Sequence, residues 1–375
     1  MKKQLLIWVG LFLVFSLTAH ARPYNYPAIR YESVTSESMG GVTLPLSDDI
    51  GNALMNNPAA LAKNTKFRAE IINLNLDANT SMVSNIGLNT LKMTGLSGME
   101  SSLNSNTNQI YGAAYSNMSA VAWGGLGIGL LMQERSVAYS DGTNIHYQTL
   151  SQTVPTIGYG FSLARGIVRV GYSFQYVNET TGTGQAAATD STASFLNGLD
   201  QGHGFSQNAS VNFVFPFTYL PTVSIIGRNL GGLHYTSGSL ASFGNGVVGL
   251  PADEPTSVDA SLNFTVRISG ELKSGWYFQY KDMTGTSGLP FLEKLNTGLE
   301  VNVSKSVSVR AGLTGTQFSA GFGYKSDMSE INLAWYHEQT PFPGLSYWDT
   351  RYALQYKIYF KDKNARDRNS EVKGQ

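Results

Sequence analysis

The sequence predicts an all-β protein, a transmembrane antiparallel β-barrel of about 14 strands with a short N-terminal helical plug. Three observations carry that prediction. From Lys66 onward apolar and polar residues alternate with period two: Val258, Ala260, Leu262, Phe264, Val266 and Ile268 interleave with Asp259, Ser261, Asn263, Thr265 and Arg267. Successive side chains of a strand point to opposite faces, so each run offers one face to lipid and one to water. The connections between runs alternate short and long, as in outer-membrane barrels, whose periplasmic turns are short and extracellular loops long. Charged residues make up 14% of the chain, against roughly 25% in soluble domains.

At the N-terminus, Lys2 and Lys3 form a positive region, Leu5 to Leu17 an apolar run, and Ala19-His20-Ala21 an A-x-A cleavage site. Residues 1–21 therefore read as a signal peptide, cleaved after Ala21. The run is short of the ~20 residues of a spanning helix, and no later run approaches that length. The absence of cysteine excludes a lipoprotein anchor, disulfides and thiolate chemistry. Lys+Arg 26 against Asp+Glu 26 gives no bias toward a nucleic-acid partner.

Residues 22–65 read as an N-terminal periplasmic segment and lumen plug. Ser47 suits a helix N-cap, with Asp48 and Asp49 in the first turn, where carboxylates complement the helix dipole. Ile50, Ala53 and Leu54 share one helical face. Pro58 removes a backbone donor and biases Asn57 away from α geometry, so the helix ends near Met55–Asn56. Ala59 to Ala62 make at most one further turn. Such an element is too small to bury its own apolar face. A barrel of about fourteen strands lies between those that fill with side chains and those that hold an open channel. Its lumen leaks unless blocked, and this stretch is the candidate plug.

Gly40-Gly41, then Ser47-Asp48-Asp49, then Asn57-Pro58-Ala59 resemble the N-terminal pattern of the FadL-type outer-membrane transporter superfamily. That group includes long-chain fatty-acid and aromatic-hydrocarbon channels and similar secretion-associated barrels. Here Ser47 precedes the Asp pair, and Ala60 stands where glycine is common. The resemblance implies that the Asn57-Pro58-Ala59 turn belongs to a gating plug. It also implies an inward kink in the third strand, beside that turn, opening a lateral route to lipid. On this chain the kink maps to Gly124, Gly125, Gly127 and Gly129. The last three share the lumen face of a strand, where missing side chains admit either a kink or close approach of the plug.

The strands are expected at 66–77, 109–117, 124–138, 150–163, 166–178, 204–215 and 219–230. They continue at 256–269, 272–283, 294–303, 306–315, 317–326, 329–339 and 348–360. The barrel thus covers 66–360, and 361–375 reads as a charged periplasmic tail. Connections after even-numbered strands are short, and those after odd-numbered strands, such as Tyr139–Thr149, are long; the turn at Thr316 is the exception. A soluble β-sandwich has no reason to obey this parity. With strand one leaving the periplasm, both termini are periplasmic. Asn85–Leu103 reads as a weak amphipathic helix that either covers the barrel mouth or offers an apolar groove to a ligand, and Ala186–Leu199 as a second short helix.

Catalysis finds no support. There is no G-x-S-x-G elbow or H-E-x-x-H helix, and His146, His203, His234 and His337 fall in or near outer loops. No metal-ligand spacing and no cofactor motif occurs. Polar strand faces place Arg169, Arg267, Arg310 and Arg351 in the lumen, where they hydrate it, hold the plug through its aspartates or receive a carboxylate head group. The function expected is an outer-membrane channel for uptake of hydrophobic or amphipathic small molecules, gated by the plug. The opposing reading is a non-transporting barrel that holds a partner protein. Outer-membrane lipids, the barrel assembly machinery of a Gram-negative cell and a hydrophobic ligand are the expected partners.

Overall fold

The computed structural model describes residues 29–46, 49–85, 100–188, 198–238, 247–269, 272–339, 342 and 348–361. The first strands are β1 (Arg68–Asn79), β2 (Tyr111–Trp123), β3 (Leu126–Ser140), β4 (Asn144–Leu163), β5 (Val168–Ala187), β6 (Asp200–Val214) and β7 (Thr222–Arg228). They are followed by β8 (Ser257–Ser269), β9 (Leu272–Tyr280), β10 (Leu295–Asn302), β11 (Val307–Thr314), β12 (Gln317–Lys325), β13 (Ser329–Gln339) and β14 (Trp348–Lys361). Each pairs with its sequence neighbours, and β1 closes antiparallel on β14 to complete a barrel. Along β3, Leu126, Ile128, Leu130 and Met132 are exposed, whereas Leu131 is buried. The outward face is thus an apolar surface for lipid, and no edge remains unpaired, as spanning strands require.

The strands depart from expectation where they rise above the barrel mouth. Tyr139–Thr149 is not a long loop: β3 and β4 run on into a hairpin at Asp141–Thr143. There the Asp141 carboxylate accepts the Thr143 and Asn144 amides at 2.8 and 2.7 Å, a local turn that competes well with an open loop. Ile145 and Tyr147 are buried with Met82, Leu103 and Tyr111, which supplies the apolar contact that holds the extended hairpin upright. β5 likewise continues to Ala187, so the start of the helix expected over Ala186–Leu199 is strand. The signal peptide, loop residues 86–99 and 189–197, and the tail from 362 lie outside the described residues.

No register shift marks the kink expected in β3. Its ladders to β2 and β4 run without a register shift from Leu126 to Ser140. The bulge lies instead in β1, where Glu70 opposes Ala120 but Leu74 opposes Asn117. One extra residue turns both Ile71 and Ile72 outward. The Asn117 side-chain Oδ1 accepts the Asn73 backbone amide at 3.1 Å, and the Ser119 hydroxyl donates to the Ile71 carbonyl at 2.6 Å, so side chains restore the interrupted ladder.

Inside the barrel sit α1 (Val34–Glu37), α2 (Ile50–Asn56) and a 3-10 helix, Pro58–Lys63. Every residue of α2 is buried. Tyr31, Ile50, Leu54, Met55 and Leu61 form one apolar cluster with Met118, Leu131 and Val154 of the wall. The core of the protein is therefore the contact between plug and barrel.

Candidate functional site

The plug is built from local rules. Asp49, not Ser47, caps α2: its carboxylate accepts the Asn52 amide at 3.1 Å. Ser47 and Asp48 lie outside the described residues. Starting the helix at Ile50 leaves Asp49 free to turn its second oxygen to Lys357, at 2.8 Å. Burial alone would push the Asp49 carboxyl up, but the Lys357 ammonium and the Asn52 amide hold it down at about 2. The Tyr31 hydroxyl donates to the same carboxylate at 3.2 Å, and Glu70 accepts the Ile50 amide at 3.2 Å. The N-terminus of α2 is thus tied to β1 and β14.

Its C-terminus is tied to the opposite side. Pro58 occupies the first position of the 3-10 helix, where its missing amide costs nothing, and Asn57 separates the two helices. The Asn57 side chain donates to the Leu44 carbonyl at 2.7 Å and accepts the Ser210 hydroxyl at 3.1 Å. Ser210 also accepts the Ala59 amide at 2.8 Å. Arg228 donates to the Asn56 side chain at 2.9 Å and reaches the Met55 carbonyl at 3.5 Å. A cation is favourable at a helix C-terminus, and Asp259, 3.0 Å away, keeps this fully buried guanidinium paired.

Glycines on two walls let the plug backbone in. An added Cβ at Gly171 would lie 2.1 Å from the Pro58 carbonyl carbon and 2.2 Å from the Ala59 nitrogen. At Gly160 it would meet the Pro58 oxygen at 2.6 Å, and at Gly127 the side chains of Leu54 and Leu61 at 2.9 Å. On the far wall, a Cβ at Gly312 would come within 2.2 Å of the Gly40 nitrogen. Gly40 and Gly41 have φ of 68° and 74°, which only glycine adopts freely. The Gly40 carbonyl there accepts the Thr314 hydroxyl at 2.5 Å and the Asn296 amide. Gln279 accepts the Thr43 and Leu44 amides at 2.8 and 2.9 Å. The plug is a strut between β3–β5 and β10–β12.

The residues singled out in the sequence divide accordingly. Asp49, Asn57, Pro58 and Ala59 all make seat contacts. Gly127 and Gly129 face α2, whereas Gly124 meets nothing within 4 Å and Gly125 belongs to the β2–β3 turn. The four arginines do not form one cluster. Arg169 and Arg310 line a cavity of about 410 Å³ on the short-turn side of the plug. Arg351 lies on the long-loop side, fully buried against Asp77, with Glu338 at 3.5 Å and Asp349 at 3.4 Å. Arg267 is exposed at the short-turn rim and lines neither cavity, because it stands two residues from the end of β8 at Ser269. Gly160, Gly171, Ser210 and Arg228 escape the sequence reading. Their signal is relational: each lies on the inward face of its strand, opposite a plug residue.

Above the plug, toward the long loops, lies a second cavity of about 360 Å³, whose lining includes Glu32, Glu37, Asp77, Glu179, Glu254 and Glu338. Lys63, Arg169, Lys273, Arg310 and Lys357 line the cavity below. The lumen is thus acidic on one side of the plug and basic on the other.

These features define a class: a plugged, fourteen-stranded transmembrane β-barrel. No protein-family model and no curated protein matches the sequence. Among solved structures the chain is similar to the CymD monoaromatic hydrocarbon channel, with a TM-score of 0.51 at 12% identity over 90% of this chain and 99% of that one. The Pseudomonas putida toluene transporter TodX gives a TM-score of 0.48 at 12% identity, covering 88% and 97% of the two chains. CdiB from Acinetobacter baumannii gives 0.37 at 9% identity, covering 79% and 60%. The likeness to CymD shows a shared fold.

Proposed function

We propose that the chain is an outer-membrane channel that admits hydrophobic or amphipathic small molecules, with the segment around Asn57-Pro58-Ala59 as its gate. One observation carries this reading: the plug spans the lumen between two glycine-lined walls and parts two cavities, about 360 and 410 Å³ in volume. A partner-holding scaffold has no need of such a seal. The shared fold with a monoaromatic hydrocarbon channel supports the substrate class. In this reading residues 1–21 direct export, the long loops face outside, residues 361–375 remain periplasmic, and lipids and the barrel assembly machinery receive the apolar wall.

Deleting Asn56–Ala59 touches no strand. The variant should still show the heat-shifted gel band of a folded barrel. It should also raise single-channel conductance and sensitivity to large antibiotics. A folded deletion that conducts like the parent would mean that the stretch seals nothing, and the partner-holding reading would replace the channel.

A further inference from the structure

Asp141 and Asp282 each fold a turn on the long-loop side around their carboxylate. Asp141 does so in the β3–β4 hairpin through two backbone amides. Asp282, between β9 and β10, accepts the Thr286 and Ser287 amides at 2.9 and 2.8 Å. It also accepts the hydroxyls of Thr284, Thr286 and Ser287 at 2.9, 2.7 and 2.5 Å. The Lys294 ammonium lies 3.2 Å from the same carboxylate. These contacts hold Asp282 at φ 50°, a left-handed backbone that a residue with a β-carbon keeps only when its surroundings impose it.

The backbone of Asp282 reaches inward to the plug. Its amide donates to Oδ1 of fully buried Asp259 at 2.8 Å. The other oxygen of Asp259 accepts Arg228 Nε at 3.0 Å and Gln279 Nε2 at 3.4 Å. Those two side chains hold separate parts of the plug: Arg228 the end of α2, at Met55 and Asn56, and Gln279 the Thr43 and Leu44 amides. One residue before Asp282, Lys281 pairs with Glu32 of the plug segment at 3.2 Å, both side chains being largely buried. A carboxylate oxygen that loses its donor in a buried site bears the full cost of desolvation. Asp259 must therefore turn when the Asp282 amide leaves, and the turn costs it Arg228 or Gln279.

We propose that the β9–β10 loop is an external latch on the plug, with Asp259 as the positioning residue that joins them. While the loop stays folded on Asp282, Asp259 keeps Arg228 and Gln279 against the plug. Unfolding the loop frees both. The assignment rests on the gate reading and adds to it the side from which the gate is worked: a molecule that binds the folded loop better than the unfolded one keeps the plug seated, and the converse releases it. The β3–β4 hairpin, packed on Met82 and Leu103, serves as the matched control.

Hydrogen–deuterium exchange of the detergent-folded full chain tests the latch. Asp282→Ala should speed exchange in the loop at 283–289 and, at least tenfold, at the plug amides of 43–44 and 53–57. Asp282→Asn, which tolerates the left-handed backbone and keeps one acceptor oxygen, should restore most of the protection. Thr286→Pro, which removes a loop amide and a hydroxyl, should repeat the alanine result with Asp282 in place. Asp141→Ala should loosen its own hairpin and leave the plug as it is. All four variants should keep the heat-shifted band of a folded barrel. A loop opened by Asp282→Ala or Thr286→Pro over a plug that exchanges like the parent's overturns the assignment, and so does an equal plug response to Asp141→Ala. Failure of the gate reading shows elsewhere, as unchanged conductance on deleting Asn56–Ala59, and leaves the exchange result standing.

Discussion

Gly171→Ala adds one methyl group at the tightest point of the plug seat and leaves the strand pairing of β5 untouched. That methyl would lie 2.1 Å from the Pro58 carbonyl carbon. Carbon atoms pack at about 3.5–4.0 Å, so the turn must retreat by roughly 1.5 Å. Such a retreat breaks the Ser210 contacts to the Ala59 amide and the Asn57 side chain. Each hydrogen bond is worth about 0.5–1.5 kcal/mol net, and overpacking adds about 1–3 kcal/mol. Together these weaken the seating of the plug by about 2–6 kcal/mol, and every 1.4 kcal/mol shifts the seated-to-released ratio about tenfold. Planar-bilayer recording of the purified barrel should show longer and more frequent openings, with the heat-shifted band preserved. If the folded variant conducts like its parent, the close approach at Gly171 is not what closes the pore.

Three further outcomes are expected. Asp49→Asn keeps a capping side chain but removes the nearer counter-charge of buried Lys357, at 2.8 Å, and leaves Glu330 at 4.0 Å. Breaking a buried pair costs about 3–5 kcal/mol, so conductance should rise as it does for Gly171→Ala. The native Asp49 carboxyl, held down at about 2, lies below the roughly 3.9 of an unfolded chain. Its contribution is complete above about pH 4 and is lost as pH falls toward 2, so conductance should rise over that acid window. Topology is read by cysteine labelling of intact cells, clean in a protein without native cysteine: Thr143→Cys in the β3–β4 hairpin should label from outside, and Lys305→Cys in a short turn should not. Labelling of the second alone would invert the assigned orientation.

The barrel was legible because its cause is local. Alternation such as Val258 to Ile268 records which face meets lipid, and every described strand falls where that record lies. Misreadings came where a strand leaves the membrane. Asn144–Leu150 has the alternation of a strand but the polarity of a loop, and burial of Ile145 and Tyr147 against Met82 and Leu103 decided for strand. That contact joins residues far apart in the chain and leaves no local trace.

The plug was legible in its own residues but not in its seat. Pro58 ends a helix wherever it stands, so the break after Asn56 could be read directly. Its seat depends on register: Gly160 pairs with Gly171, and Arg228 reaches the end of α2 only because β7 and β8 set it beside Asp259. A glycine-rich third strand drew attention to itself, yet the closest approach is two strands further on. The seat also explains why one methyl group should outweigh the loss of any single neutral hydrogen bond. Its hydrogen bonds are many and individually small, so losing one leaves the others to hold the turn. The backbone contact at Gly171 has no slack, and a clash there displaces Asn57, Pro58 and Ala59 together.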